Sequence, residues 1–376
     1  MYSRHPMEVN MAYRVLILGA SYGSLFGTKL LMAGHRVSLV CTPATADLIK
    51  REGTRVRFPI KGWDGLLEVA SAWLPGALSA MTPDEADPGE YDLVVLGMQE
   101  AHYGERGVRE LMGRIARSRK PCLAIMNMPP LPYLKRIPGL STRPLEACYA
   151  DPGVWRDFDP ALVTLSSPDP QAFRPADCPK NVLQVGLPTN FKAARFETEE
   201  PTALLRDLEA DIEATRFDPD GEAIEVPVKL KVHDSVFAPL AKWPMLIAGN
   251  YRCIRRDGMI AIRDAVHGDV DESRRIYDWV AGLCCGLGAE SADLVPFEKY
   301  AKAAETLGKP SSAARALLGG AEHIERVDSL VRRIARQRGL HCEALHEIVA
   351  RVDERLERNR AKPGPGFLAP AAVSAA

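Results

Sequence analysis

The sequence predicts an α/β domain built on a parallel sheet, followed by an all-α domain, and three observations carry that prediction. From Arg14 the chain reads RVLILGASYGSLFGTKLLMAGHRVSLV. This is an apolar run, a Gly/Ser loop, an amphipathic stretch of helix length and a second β-branched run, within the span of one βαβ unit. Apolar runs return at Leu93–Leu96 and Cys122–Ile125, each after turn or helix signals, as expected of parallel strands covered on both faces. Beyond Glu200 the apolar residues fall at helical spacing instead.

In chain order, the first strand ends at the Gly19 loop, a helix follows, and residues 37–40 form the second strand. Between about Pro129 and Thr198 the pattern changes to short strand-like pieces among prolines, at 162–165, 182–185 and 193–196. These read as antiparallel strands that complete a first domain over 13–199. Helices are predicted at 202–213, 229–251, 272–286, 297–306, 311–318, 322–338 and 342–358, which makes 200–360 the helical domain. Two stripes support the last pair: Ile324, Val327, Val331 and Ile334, then Leu345, Val349, Val352 and Leu356. Residues 1–12 and the Pro/Gly/Ala-rich 361–376 are expected to be disordered.

At 376 residues the chain has room for about two domains. Lys+Arg 48 against Asp+Glu 49 leaves no global field to gather nucleic acid or anionic lipid, so neither is an expected partner. No apolar stretch approaches the ~18 residues of a membrane span, and the first dozen residues lack the apolar core of a secretory signal. Eight cysteines form no CxxC pair and no disulfide framework, which fits a reducing, cytoplasmic compartment. His341 and His346 are spaced i,i+5, with Cys342 four residues before His346; without a third ligand at metal spacing, no metal is expected. No GxSxG elbow or Walker loop is present.

The chemistry-bearing segment is Gly19-Ala20-Ser21-Tyr22-Gly23-Ser24, placed where a strand hands over to a helix. That context gives a dinucleotide fingerprint its meaning: small residues let a pyrophosphate approach the helix N-terminus, where free N–H groups and the dipole favour negative charge. Read from the strand, Ser21 and Ser24 take the second and third glycine positions; read from Gly23 and Gly27, the loop is one residue short. The first domain is therefore expected to be of Rossmann type. The second strand ends in Cys41-Thr42-Pro43-Ala44-Thr45, with no carboxylate for the ribose hydroxyls of NAD. The expected cofactor is NADP(H), with Thr42, Thr45 and either Lys50 or Arg51 near its 2′-phosphate.

The glycine loop, taken with later segments, resembles the ketopantoate reductase family over roughly residues 14–348. Members have a Rossmann-type N-terminal domain and a helical C-terminal domain, and reduce ketopantoate to pantoate with NADPH in pantothenate biosynthesis. In DLVVLGMQEAHYG, Gln99 stands where the family commonly has a lysine. In Met126-Asn127-Met128, Asn127 alone remains of a Gln-Asn-Gly turn. In LAKWPMLIAGNYRC, Lys242 and Asn250 match the family's catalytic lysine and second asparagine, while Leu246 takes the intervening asparagine position. KPSSAARALLGGAEHIERVD is similar to the family's serine-containing helix start, here Ser311 and Ser312, followed by a substrate-binding glutamate. Its lysine-to-glutamate separation points to Glu322, whereas ungapped alignment puts His323 there; Glu325 and Glu272 are weaker matches.

The resemblance implies that a small-molecule 2-oxo acid is reduced to a 2-hydroxy acid, with Lys242 as general acid and Glu322 as its catalytic companion. A lysine in a partly dry site has its pKa lowered and its charge stabilises a developing alkoxide. Asn250, Ser311 and Ser312 are implied to bind substrate, and Gln99 and Asn127 to line the cofactor with Gly19–Ser24 and Thr42. On a uniform helix Lys242 and Asn250 would point ~80° apart; Pro244 either bends that helix or marks its start. Gln99, Leu246 and Met128 depart from the family's pattern, and a pocket missing two polar groups should take ketopantoate poorly, because a site's hydrogen-bonding groups set which hydroxylated substrate fits. Alternatives are another carbonyl substrate, opine-type chemistry included, or a non-catalytic NADP(H)-binding protein. A homodimer is the expected assembly.

Overall fold

The computed structural model describes residues 12–218 and 221–361. The disorder expected at the two ends falls almost wholly outside these residues. The backbone divides into two compact units: the chain up to Lys242 with Leu283–Leu294, and Trp243–Gly282 with the chain from Val295 onward.

The first unit is organised by an eight-stranded sheet. Its strands are β1 (Arg14–Leu18), β2 (Arg36–Val40), β5 (Ala77–Met81), β6 (Leu93–Leu96), β7 (Cys122–Ile125), β8 (Val163–Ser167), β11 (Phe191–Ala194) and β12 (Leu230–His233). β3 (Arg55–Pro59), β4 (Leu66–Ala70), β9 (Gln171–Phe173) and β10 (Val182–Leu187) form a second sheet in the order β4-β3-β10-β9. The large sheet runs β12-β11-β8-β7-β6-β1-β2-β5. β5, β2, β1, β6, β7 and β8 are all mutually parallel, and β11 joins β8 antiparallel.

β6 and β7 are buried at every position and β1 at all but Arg14, as a parallel sheet covered on both faces requires. α1 (Tyr22–Met32) connects β1 to β2, and α2 (Pro43–Glu52) follows β2. β1 lies between β2 and β6, so the strand order reverses there. Ligands of open α/β sheets bind at the carboxyl ends of strands beside such a switch point. The remaining helices of this unit are α3 (Arg106–Ser118), the short α4 (Leu131–Leu134) and α5 (Glu199–Ala214).

Several expectations need correction. The predicted strand at 162–165 is β8, but it extends the parallel sheet; only the next piece, β11, is antiparallel to it. The piece at 182–185 belongs to the second sheet, paired parallel with β3 and antiparallel with β9. The predicted helix at 229–251 is not one helix. It opens with β12, which pairs parallel with β11. Val226, Val228, Leu230 and Val232 alternate with polar residues and proline, a period-2 signal that outweighs the helical one. With α5 and β12 in the first unit, the boundary moves from 199–200 to 242.

The second unit is helical. α6 (Lys242–Met245) and α8 (Val270–Leu287) straddle the boundary, and α7 (Ile262–His267), α9 (Phe297–Ala304), α10 (Ser312–Leu318), α11 (Val327–Gln337) and α12 (Glu343–Ala361) lie within this unit. Tyr277 stacks on Tyr300 at 5.4 Å with Phe297 edge-on to Tyr277. Val327, Val331 and Ile334 of α11 and Leu345, Val349, Val352 and Leu356 of α12 are buried, as their spacing predicts. α11 starts five residues later than predicted, leaving Glu322 to Arg326 outside any helix. Among the described residues, no helix is long and apolar enough to cross a membrane.

Candidate functional site

The glycine loop follows β1 at the switch point. Gly19 has φ +99°, and a Cβ there would come within 2.7 Å of Met98 Cγ and 3.0 Å of the Gly97 carbonyl oxygen. Only glycine meets both demands. Its N–H donates to the Val40 carbonyl at 2.8 Å and that of Gly97 to the Leu18 carbonyl at 2.9 Å, so the ends of β1, β2 and β6 are tied together. A Cβ at Gly23 would meet Ile17 Cγ2 at 2.7 Å. Close helix-to-strand packing, the third glycine's task in the fingerprint, thus falls to Gly23. Ser24 turns inward instead, its hydroxyl donating to the Ala20 carbonyl at 2.7 Å. Ser21 is the N-cap residue of α1 and Tyr22 its first residue.

Around this loop, Thr42 is the N-cap residue of α2 and donates through Oγ1 to Thr45 Oγ1 at 3.0 Å. Gln99 is exposed, just beyond β6. Asn127 lies two residues past β7, partly buried, with its amide oxygen fully enclosed. Met128 is fully buried and belongs to the core. Burial pushes the Cys41 thiol up to about 11, and the charges of Arg174 and Lys50 oppose that rise.

The segment from Pro168 to Arg174 has a part in the site that sequence reasoning missed. Tyr22 Oη donates to the Pro170 carbonyl at 2.9 Å, and Arg174 Nη2 to the Ala20 carbonyl at 3.0 Å. Lys242, mostly buried with 19% of its side chain exposed, donates through Nζ to the Pro168 carbonyl at 2.6 Å and lies 3.6 Å from Asp169 Oδ1. One strap therefore touches both the glycine loop and the lysine, all within the first unit. Nothing local in SSPDPQAFRP announces this. The contacts join residues 73 to 154 positions apart.

In the second unit, Leu246–Asn250 is a π turn in which the Tyr251 N–H reaches back to the Leu246 carbonyl. The ~80° estimate for a uniform helix does not apply across it, and Pro244 sits within the first turn of α6. Such π turns are frequent at functional sites. Asn250 is half-buried, and its carbonyl accepts from Ser311 Oγ at 2.7 Å. Ser311 also caps α10, accepting from the Ala314 N–H at 3.2 Å, so both its hydrogen-bonding roles are structural; Ser312 is exposed.

Glu322 and His323 are both exposed, and Glu322 is engaged through its carbonyl, which accepts from Arg360 Nε at 3.1 Å. The glutamate this segment buries is Glu325, 8% exposed, whose carbonyl accepts from Tyr251 Oη, next to Asn250. Glu272 pairs with Arg275 one turn along α8. No group of three metal-ligating side chains occurs among the described residues.

The parallel sheet with its glycine loop, followed by a helical unit, is the architecture of the ketopantoate reductases. Sequence comparison finds no matching family model and no matching curated protein. Solved structures do match. A 2-dehydropantoate 2-reductase from Methylococcus capsulatus shares 16% identity at a TM-score of 0.63, over 94% of this chain and 99% of its own. A PanE/ApbA family ketopantoate reductase from Ralstonia eutropha shares 16% at 0.60, over 92% and 99%. A D-mandelate dehydrogenase, in a ternary structure with NADH and anilino(oxo)acetate, shares 14% at 0.62, over 93% and 100%.

Proposed function

We propose that this protein is a cytoplasmic NADPH-dependent reductase that converts a 2-oxo acid to a 2-hydroxy acid, with ketopantoate or a close analogue as substrate. The observation that carries this reading is the strap, which is bonded at Ala20 and Tyr22 on one side and at Lys242 on the other. It links a dinucleotide loop to the one lysine that the resemblance makes a proton donor.

The residues fit the cofactor. Gly19 supplies the tight turn, Gly23 the close helix packing, and an eleven-residue helix its N-terminus, while the end of β2 carries no carboxylate to repel a 2′-phosphate. A bound nicotinamide would supply a hydride to the carbonyl carbon. Lys242 Nζ gives a proton to the carbonyl oxygen as the C–H bond forms, its charge first stabilising the growing negative charge. The Pro168 carbonyl and the Asp169 carboxylate orient the ammonium, and solvent reprotonates the amine. The resemblance assigns substrate binding to Asn250, whose amide can bond a hydroxyl or a carboxylate, and to a glutamate that accepts from a substrate hydroxyl, for which the exposed Glu322 and the buried Glu325 are the candidates. A homodimer is the assembly this reading expects, and eight free cysteines suit a reducing compartment.

A narrower reading concerns the substrate. Gln99 stands where the resemblance expects a lysine, Leu246 where it expects an asparagine and Met128 at the glycine of the turn, and Leu246 and Met128 are buried. A site poorer in hydrogen-bonding groups favours a less hydroxylated 2-oxo acid. NADPH oxidation measured with ketopantoate and with the 2-oxo acid corresponding to mandelate tests both. Turnover of either supports reduction of a 2-oxo acid, and the preferred one fixes the class. No turnover of any 2-oxo acid, with NADPH bound, would make the protein a nucleotide-binding sensor instead.

A further inference from the structure

The end of β2 poses a problem that its own residues do not solve. Reading a 2′-phosphate takes a cation there, commonly an arginine, yet residues 41–46 are Cys-Thr-Pro-Ala-Thr-Ala. Thr42 Oγ1 is already spent on Thr45. Lys50 is exposed and lies 3.7 Å from Glu85 Oε1, so part of its charge is answered within the protein.

We infer that Arg174, delivered by the second sheet rather than by the end of β2, is the residue that selects NADPH over NADH by binding the 2′-phosphate. Arg174 directly follows β9, the edge strand of that sheet. One guanidinium N–H is anchored on the Ala20 carbonyl, and a guanidinium carries five. No carboxylate of the described residues forms an ion pair with it, and the residue is exposed. Its charge reaches Cys41, the first residue after β2, where it opposes the rise in the thiol's pKa. The guanidinium therefore sits on the glycine loop, which Gly19 ties to Val40 at the end of β2, held at one corner with its other donors free. A planar fork in that position suits bidentate binding of a phosphate monoester.

This assignment rests on the cofactor reading above and goes beyond it by naming the residue. The test is titration of the full-length protein with NADPH and with NADH, followed by nucleotide fluorescence, for wild type, Arg174→Ala and Arg174→Lys. In wild type NADPH is expected to bind more tightly. Arg174→Ala should weaken NADPH by about 10- to 100-fold, the worth of one charge-assisted contact, and leave NADH nearly unmoved, so that the preference collapses. Arg174→Lys, which keeps the charge but not the fork, should recover part of the loss. Equal weakening of both nucleotides by Arg174→Ala would place the guanidinium on the shared pyrophosphate and overturn the assignment, as would no effect on either. Wild type that binds neither nucleotide would overturn the cofactor reading and the assignment with it, a failure distinct from the first two.

Discussion

The loop at residues 19–24 and the segment at 245–251 are the parts of each unit that bear on the site, and they are held in different ways. The loop is shaped by contact: backbone and side chains approach so closely at Gly19 and Gly23 that no Cβ fits without movement. The segment is shaped by hydrogen bonds to residues distant in sequence. Tyr300 Oη donates to the Met245 carbonyl at 3.1 Å, Ser311 Oγ donates to that of Asn250, and Tyr251 Oη accepts from the Val327 N–H at 3.0 Å. Both exclude an added atom, but at Gly249 the atom in the way is Tyr300 Oη, itself a hydrogen-bond donor to the turn, so the turn should also respond to its remote partners, which lie more than fifty residues away in sequence.

The largest effect should come from Gly19→Val. A β-branched residue at φ +99°, pressed against Met98, is strained by roughly 2–4 kcal/mol. Nucleotide binding should be lost, and urea unfolding should shift to lower concentration. Retained NADPH affinity would break the claim that contact shapes the loop.

Gly249→Ala sharpens the other half of the comparison. Its Cβ would fall 1.9 Å from Tyr300 Oη, so a loss of about 1–3 kcal/mol is expected. In Gly249→Ala/Tyr300→Phe the 1.9 Å contact is gone and only tight contacts of 3.2 Å to Val266 Cγ2 and 3.3 Å to the ring Cζ remain, so the double-mutant cycle should show coupling well above the ~0.5 kcal/mol of independent sites. Additive effects would mean that the tyrosine does not hold the turn.

A smaller, pH-dependent effect belongs to Lys29, buried on α1 with Nζ donating to the Val226 carbonyl at 2.7 Å. Burial lowers its pKa to about 7 from the ordinary 10.5. Between those values the unfolded chain binds a proton that the folded one does not, so this residue makes stability rise with pH across that window and adds no slope below it. Comparing urea midpoints of wild type and Lys29→Met from pH 7 to 10 should show the wild type gaining on the variant as pH rises. Parallel curves would show that the amine stays charged inside the fold.

How far the sequence reaches follows from the same contrast. The β1-loop-α1 unit is legible because its signals are local: an apolar run, small residues and a helix within one short stretch. α11 and α12 are legible because a buried stripe repeats every turn. β12 is misread since four alternating apolar residues run directly into a helical stretch, and its pairing with β11 is not a local property. That Glu322 lies exposed outside any helix while Glu325 is buried is seen only once α11 begins at Val327. Arg174 and Asp169 carry no local mark at all, because their meaning comes from a strand of a different sheet.

The central claim is that Lys242 donates the proton, and one side-by-side comparison tests it most directly. Steady-state NADPH oxidation with ketopantoate, or with whichever 2-oxo acid wild type prefers, should be measured for wild type and Lys242→Ala, with NADPH affinity determined for both. The account predicts that kcat falls by about 10²- to 10⁴-fold, the usual contribution of a positioned general acid, while NADPH still binds. A variant that turns over as fast as wild type would contradict it.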